Sequence, residues 1–142
     1  NANVLEFAAY AHSGQRRKFT GEPYITHPIA VAQIAKYLAA DIKGIDLSLL
    51  EKVALLHDVL EDTSVWYDEL TTEFGEEVAD RVRILTKVPG ETYLQAILRA
   101  KADSITRIVK MADNMHNRSD LQFQQGSLKD KYEMSIHILS DN

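Results

Sequence analysis

Cysteine is absent from this 142-residue chain. That excludes disulfides, thiolate metal sites and a cysteine nucleophile. No signal-peptide pattern opens the sequence, and the lack of cysteine fits a reducing compartment, so the expected location is the cytoplasm. No apolar run approaches the ~20 residues that a membrane-spanning helix needs, and no membrane partner is expected. Positive charge is in deficit, with 16 Lys and Arg against 21 Asp and Glu, for a net charge of −5. A broad nucleic-acid surface is therefore not expected. Tandem repeats, low-complexity tracts and linkers are missing too, which points to one domain over residues 1–142.

What is present is helical periodicity almost throughout, with no convincing alternating strand. Val4, Leu5, Ala8 and Ala9 mark a first helix to about Ala11. Residues 13–26 read as a loop broken by Gly14, Gly21 and Pro23. His27-Pro28 opens the next helix, since proline is favoured in a first turn. Asp46 or Ser48 can cap the central helix, and Ser48 with Glu51 has capping-box spacing. Thr63 or Ser64 can cap a short helix holding Trp66 and Leu70. Further apolar stripes run from Val78, Tyr93, Ile105 and Leu128. The expectation is an all-α bundle of about eight helices around a central metal site.

The stretch over residues 53–63, Val53-Ala54-Leu55-Leu56-His57-Asp58-Val59-Leu60-Glu61-Asp62-Thr63, carries the main chemical signal. Read as one helix, it stacks His57 under Glu61 and Asp58 under Asp62, with leucines and valines filling the rest of the circumference. A buried helix does not carry four ionisable groups unless they are paired or hold a metal. A lone His-Asp pair is as often a satisfied core histidine beside a solvated acid. Partners elsewhere shift the balance. His27 at a helix start and Asp113 in the seventh helix complete a set of two imidazoles and two carboxylates. Such a set suits Mn²⁺, Fe²⁺, Co²⁺ or Zn²⁺. Glu61 and Asp62 lie one turn further on, placed to orient or deprotonate a water and to pass a proton to a leaving group. Arg16-Arg17-Lys18 is the densest positive run in an acidic chain and suits a phosphorylated substrate. Asn117 shares a face with Asp113, so it can hydrogen-bond a ribose or phosphate. His116, three residues from Asp113, can support a ligand from behind, with a structural role favoured; Tyr24 reads as packing rather than contact, and His12 and His137 as structural or surface.

With these residues assembled, the chain resembles the HD-domain phosphohydrolases, and most the hydrolase domain of RelA/SpoT homologues and the stand-alone small alarmone hydrolases. The matching segments are Ala11-His12-Ser13-Gly14-Gln15-Arg16-Arg17-Lys18, Gly21-Glu22-Pro23-Tyr24-Ile25-Thr26-His27-Pro28, Ala54 to Thr63, and Lys110-Met111-Ala112-Asp113 on to His116-Asn117. The resemblance implies one Mn²⁺ on His27, His57, Asp58 and Asp113, and a catalytic pair Glu61 and Asp62. It implies guanine and phosphate contacts from Arg17, Lys18 and Asn117. Tyr132 matches a substrate-contacting tyrosine of the stand-alone type, against the default of a core tyrosine. The implied reaction is hydrolysis of guanosine 3′,5′-bis(diphosphate) to pyrophosphate and GDP or GTP.

The chain also departs from the family pattern. The loop Lys18-Phe19-Thr20-Gly21 is one residue longer than in the long enzymes, and Asp120 replaces a small hydroxyl residue. The same metal motif serves NADPH and nucleoside monophosphate phosphatases, and a non-catalytic nucleotide sensor is a third reading. The sequence leaves the oligomeric state open.

Overall fold

The computed structural model describes residues 2–121 and 126–141. Among them the chain forms nine α-helices and no strand. The helices are α1 Ala2–Ala11, α2 Thr26–Ala39, α3 Leu47–Leu56, α4 Val59–Asp62, α5 Tyr67–Phe74, α6 Glu76–Ile84, α7 Tyr93–Lys101, α8 Ser104–Asp120 and α9 Ser127–Ser140. The all-α expectation therefore holds.

Helix α2 packs on both α3 and α8, and α9 closes on the other side of α8. The apolar stripes explain this arrangement. On α2, Val31, Ala35 and Ala39 are buried at every fourth position. On α3 the buried set includes Leu50, Val53 and Ala54, and on α8 it includes Ile105, Ile108, Val109 and Ala112. The alanines let the helix axes approach closely, so ridges and grooves interlock. Burial of each larger side chain contributes roughly 1.5–3 kcal/mol. Each stripe then runs at helical spacing into an ionisable residue: His27 precedes Val31, His57 follows Val53, and Asp113 follows Val109. The faces that bury the core thus also carry these three groups to one point, and all three are buried.

Two sequence expectations need correction. The stretch over residues 53–63 is not one helix, because α3 stops at Leu56 and α4 starts at Val59. Asp58 between them has φ −104° and ψ −1°, outside ideal helix geometry. Neighbouring side chains on a continuous helix diverge by about 100° and cannot aim at one point. The break lets them: His57 Nε2 lies 3.0 Å from Asp58 Oδ2. Glu61 and Asp62 consequently belong to the single turn of α4 rather than to the end of a long helix. The second correction concerns caps. Asp46, not Ser48, caps α3, its Oδ1 accepting the Leu49 N–H at 3.0 Å. Neither Thr63 nor Ser64 caps α5, which begins after an exposed Trp66 with no side-chain cap. Thr63 instead donates to the Val59 carbonyl at 2.6 Å and closes α4.

Candidate metal centre and active site

Four donor atoms converge where α2, the α3–α4 break and α8 meet. His27 Nε2 lies 2.8 Å from Asp113 Oδ1 and 3.6 Å from Asp58 Oδ2. His57 Nε2 lies 3.0 Å from Asp58 Oδ2 and 3.5 Å from Asp113 Oδ1. The two imidazole rings sit edge to face with centroids 5.2 Å apart.

The outer atoms of each ring are committed elsewhere. His57 Nδ1 donates to the Ala54 carbonyl at 2.7 Å. In the neutral ring Nε2 is then an acceptor, facing carboxylate oxygens that only accept. It is buried and finds no hydrogen-bond partner among the described residues. His27 Nδ1 lies 2.8 Å from His116 Nδ1, and the two rings stack at 5.0 Å. His116 therefore does more than pack, since it can fix which nitrogen of His27 points inward. Burial, the neighbouring His27 and Arg17 all lower the His116 pKa, which suits an acceptor. Metal-binding histidines are oriented by partners of this kind.

Electrostatics point the same way. Burial alone would lower His57, but the Asp58 and Asp113 carboxylates raise its pKa well above the ordinary range. Burial alone would raise Asp58, yet His57 beside it holds it well below the usual carboxylate range. Burial would likewise raise Asp113, yet the Lys110 ammonium, His27 and His57 hold it well below. The two carboxylates draw positive charge onto His57, and the same field favours a cation at their centre. His27, His57 and Asp113 each bring a donor atom within 4.8 Å of the others, and Asp58 reaches both imidazoles, a set that fits a divalent metal ion.

The acid pair flanks this centre. Glu61 Oε1 accepts the Lys87 backbone N–H at 2.7 Å, tying α4 to the loop after α6. Asp62 is held less firmly. Partial shielding from water, then the Asp58 and Glu61 charges, push its pKa up to about 6.

Arg17 is turned inward and is only 8% exposed. The reason is local: Arg16 and Pro23 form an isolated antiparallel bridge, and Arg17 N–H donates to the Glu22 carbonyl at 2.7 Å. Successive residues of such a bridged segment face opposite ways. Lys18 accordingly points outward, exposed, with its ammonium 5.4 Å from the Phe19 ring centroid. The structure thus turns Arg17 into the site and leaves Lys18 exposed to solvent. Arg17 donates to Asn117 Oδ1 at 3.3 Å and forms an ion pair with Asp120. Asn117 Nδ2 in turn donates to Asp113 Oδ1 at 3.2 Å, so its amide joins the two groups. Tyr132 is half-buried on α9, and burial followed by the Asp113 charge raises its pKa.

Two contributors escape a reading of the sequence. Tyr24, expected to pack, donates its hydroxyl to Asp58 Oδ2 at 2.6 Å. Nothing in a loop sequence signals that contact. Lys110 Nζ donates to Asp113 Oδ2 at 3.1 Å. Its i,i+3 spacing on α8 was a usable signal.

Comparison with known proteins agrees with this geometry. Residues 4–119 match the HD domain family. The guanosine-3′,5′-bis(diphosphate) 3′-pyrophosphohydrolase of Aquifex aeolicus is 39% identical over 80% of this chain and 16% of its own length. The bifunctional (p)ppGpp synthase/hydrolase SpoT of Escherichia coli is 35% identical over 84% of this chain and 17% of its own length. The chain thus spans about a sixth of the length of the curated relatives it matches. A solved metazoan ortholog of SpoT, described as hydrolysing ppGpp, superposes with a TM-score of 0.78 at 29% identity. That match covers 97% of this chain and 82% of the other. A helical fold, a buried His-Asp cluster between α2, α3 and α8, and the match over residues 4–119 lead to one assignment: the chain belongs to the HD domain family.

Proposed function

We propose that residues 1–142 act as one HD-type hydrolase domain that removes the 3′-diphosphate of guanosine 3′,5′-bis(diphosphate). The products are pyrophosphate and GDP, or GTP from the pentaphosphate. One observation carries this reading: His27, His57 and Asp113 meet at one buried point, and Asp58, in contact with both imidazoles, joins it to Glu61 and Asp62. Relatives named for this hydrolysis support the choice of substrate.

A divalent cation held by His27, His57, Asp58 and Asp113, with Mn²⁺ as the implied ion, supplies Lewis acidity toward a phosphoryl oxygen and acidifies a water. The chain's own residues do the rest. Tyr24 and Lys110 hold Asp58 and Asp113 in place through their hydrogen bonds. Arg17 and Asn117 hold the nucleoside and its phosphates, with Tyr132 and Lys18 at the edge of that surface. With a pKa of about 6, Asp62 is largely ionised at neutral pH and takes the proton of the attacking water. The water oxygen bonds to the 3′ phosphorus, the bond from that phosphorus to the 3′ oxygen breaks, and the 3′ oxygen takes a proton. Glu61, fixed by the Lys87 N–H, orients the water and helps return that proton.

The test is hydrolysis of guanosine 3′,5′-bis(diphosphate) by metal-stripped protein, with and without added Mn²⁺. NADPH and nucleoside monophosphates run in parallel. Mn²⁺-dependent release of pyrophosphate is the expected result. Turnover of a parallel substrate alone would overturn the specificity, and silence on all with metal bound would overturn catalysis.

A further inference from the structure

On the far side of Glu61, α4, α7, α8, α9 and the loop after α6 enclose a cavity of about 190 Å³. Pockets that take whole small molecules run to roughly 300–1,000 Å³, so this one suits a fragment. Its charged lining is Glu61, Lys87, Arg99, Lys110 and Lys131, four cations against one acid. That excess of positive charge stands out in a chain of net charge −5.

Two of the cations are already neutralised. Arg99 pairs with Glu91 at 2.7 Å and also donates to the Ile84 and Thr86 carbonyls, so it fixes the loop that carries Lys87. Lys110 pairs with Asp113. Among the described residues, neither Lys87 nor Lys131 has a carboxylate within ion-pair distance. The Lys131 ammonium instead sits 3.9 Å from the Tyr93 ring centroid. Partial shielding from water, then the Lys87 and Lys110 charges, lower its pKa. Two ammonium groups without a carboxylate partner thus line one small cavity beside the paired Lys110, and an anion relieves their repulsion. The cavity shares two walls with the His-Asp cluster, since Lys110 holds Asp113 and Glu61 belongs to the acid pair.

We propose that this cavity is an anion subsite for a phosphate group, built on Lys131 and Lys87. It takes the terminal phosphate of the 3′-diphosphate while the inner phosphorus lies at the cluster of His27, His57, Asp58 and Asp113. The second statement rests on the function proposed above, and the first does not. The consequence is selectivity for a diphosphate over a monophosphate at the 3′ position.

The experiment compares wild type with Lys131→Glu, Lys131→Met and Lys131→Arg. Lys131 is exposed, so all three should fold, and thermal melts verify it. Binding of inorganic pyrophosphate to the metal-free protein is titrated calorimetrically at two salt concentrations. Loss of a charge-assisted contact should weaken binding roughly tenfold or more in Lys131→Met and further in Lys131→Glu. Lys131→Arg should retain binding, and higher salt should weaken the wild type. Unchanged binding in Lys131→Glu overturns the subsite. In turnover, Lys131→Met should raise KM for guanosine 3′,5′-bis(diphosphate) but leave KM for the analogue with a single 3′-phosphate within about twofold. Equal effects on both substrates overturn the placement of the terminal phosphate. Lys131-dependent pyrophosphate binding without any alarmone hydrolysis upholds the subsite and overturns the proposed function instead.

Discussion

Asp113 and Asp120 lie seven positions apart on α8 and are held in opposite ways. Asp113 is buried and surrounded by groups from packed helices: His27 on α2, Lys110 and Asn117 on α8, with His57 close by. Asp120 is the last residue of α8, and its partner Arg17 comes from a loop. The metal end is over-determined by helix packing, whereas the recognition end hangs on one loop-borne guanidinium. Sites built on packed elements are held more tightly than sites on loops. On the proposed function, chemistry is thereby anchored, and substrate choice is left to a segment that can vary.

The largest effect should come from the packed end. Asp113→Ala and Asp58→Ala are expected to lose bound metal and to lower kcat/KM by about 10³-fold or more. Glu61→Gln should keep its metal and still lose turnover. Metal content by elemental analysis alongside single-turnover rates separates the two. Full activity with metal bound in Asp58→Ala would sink the ligand assignment. His116→Phe tests how far the packed end extends. It should weaken metal binding by about 10–100-fold while leaving the fold intact. Metal affinity equal to wild type would return His116 to a packing role.

At the looser end, Arg17→Ala should act mainly on KM, by roughly tenfold, with bound metal unchanged. A kcat loss as deep as that of Asp113→Ala would erase the contrast between the two ends.

The smallest effect concerns pH. Asp62 has its pKa raised to about 6 in the folded protein, above its ordinary value of 3.8. The folded state therefore binds this proton more tightly than the unfolded chain, and ionised Asp62 opposes folding. That penalty is present above about pH 6 and is relieved as pH falls through 6 toward 4. Metal-free Asp62→Asn should melt higher than wild type at pH 7.5, with the gap closing by pH 4. A gap that stays constant across this range would remove the assigned cause.

Much of this was legible in the residues. The helices follow from apolar spacing, and His27, His57 and Asp113 each continue a buried stripe at helical period. The break after Leu56 was not legible, because residues 53–63 keep a helical apolar spacing and hold no proline or glycine. It arises from the demand that His57 and Asp58 share one centre. The outward turn of Lys18 depends on a bridge between Arg16 and Pro23, which no periodicity records. Tyr24 reaches Asp58 across 34 positions of chain, a contact set by how the loop folds over α4.

By itself the sequence determined the helical class, the absence of thiol chemistry and which histidines and aspartates are candidates for a metal. Those are properties of composition and local period, which act over a few residues. Only the tertiary structure decided that each of the two imidazoles comes within 2.8–3.6 Å of both carboxylates, that Arg17 faces in while Lys18 faces out, and that Lys131 and Lys87 line one cavity. Those outcomes depend on contacts between distant segments, fixed when the alanine-lined faces of α2, α3 and α8 close on one another.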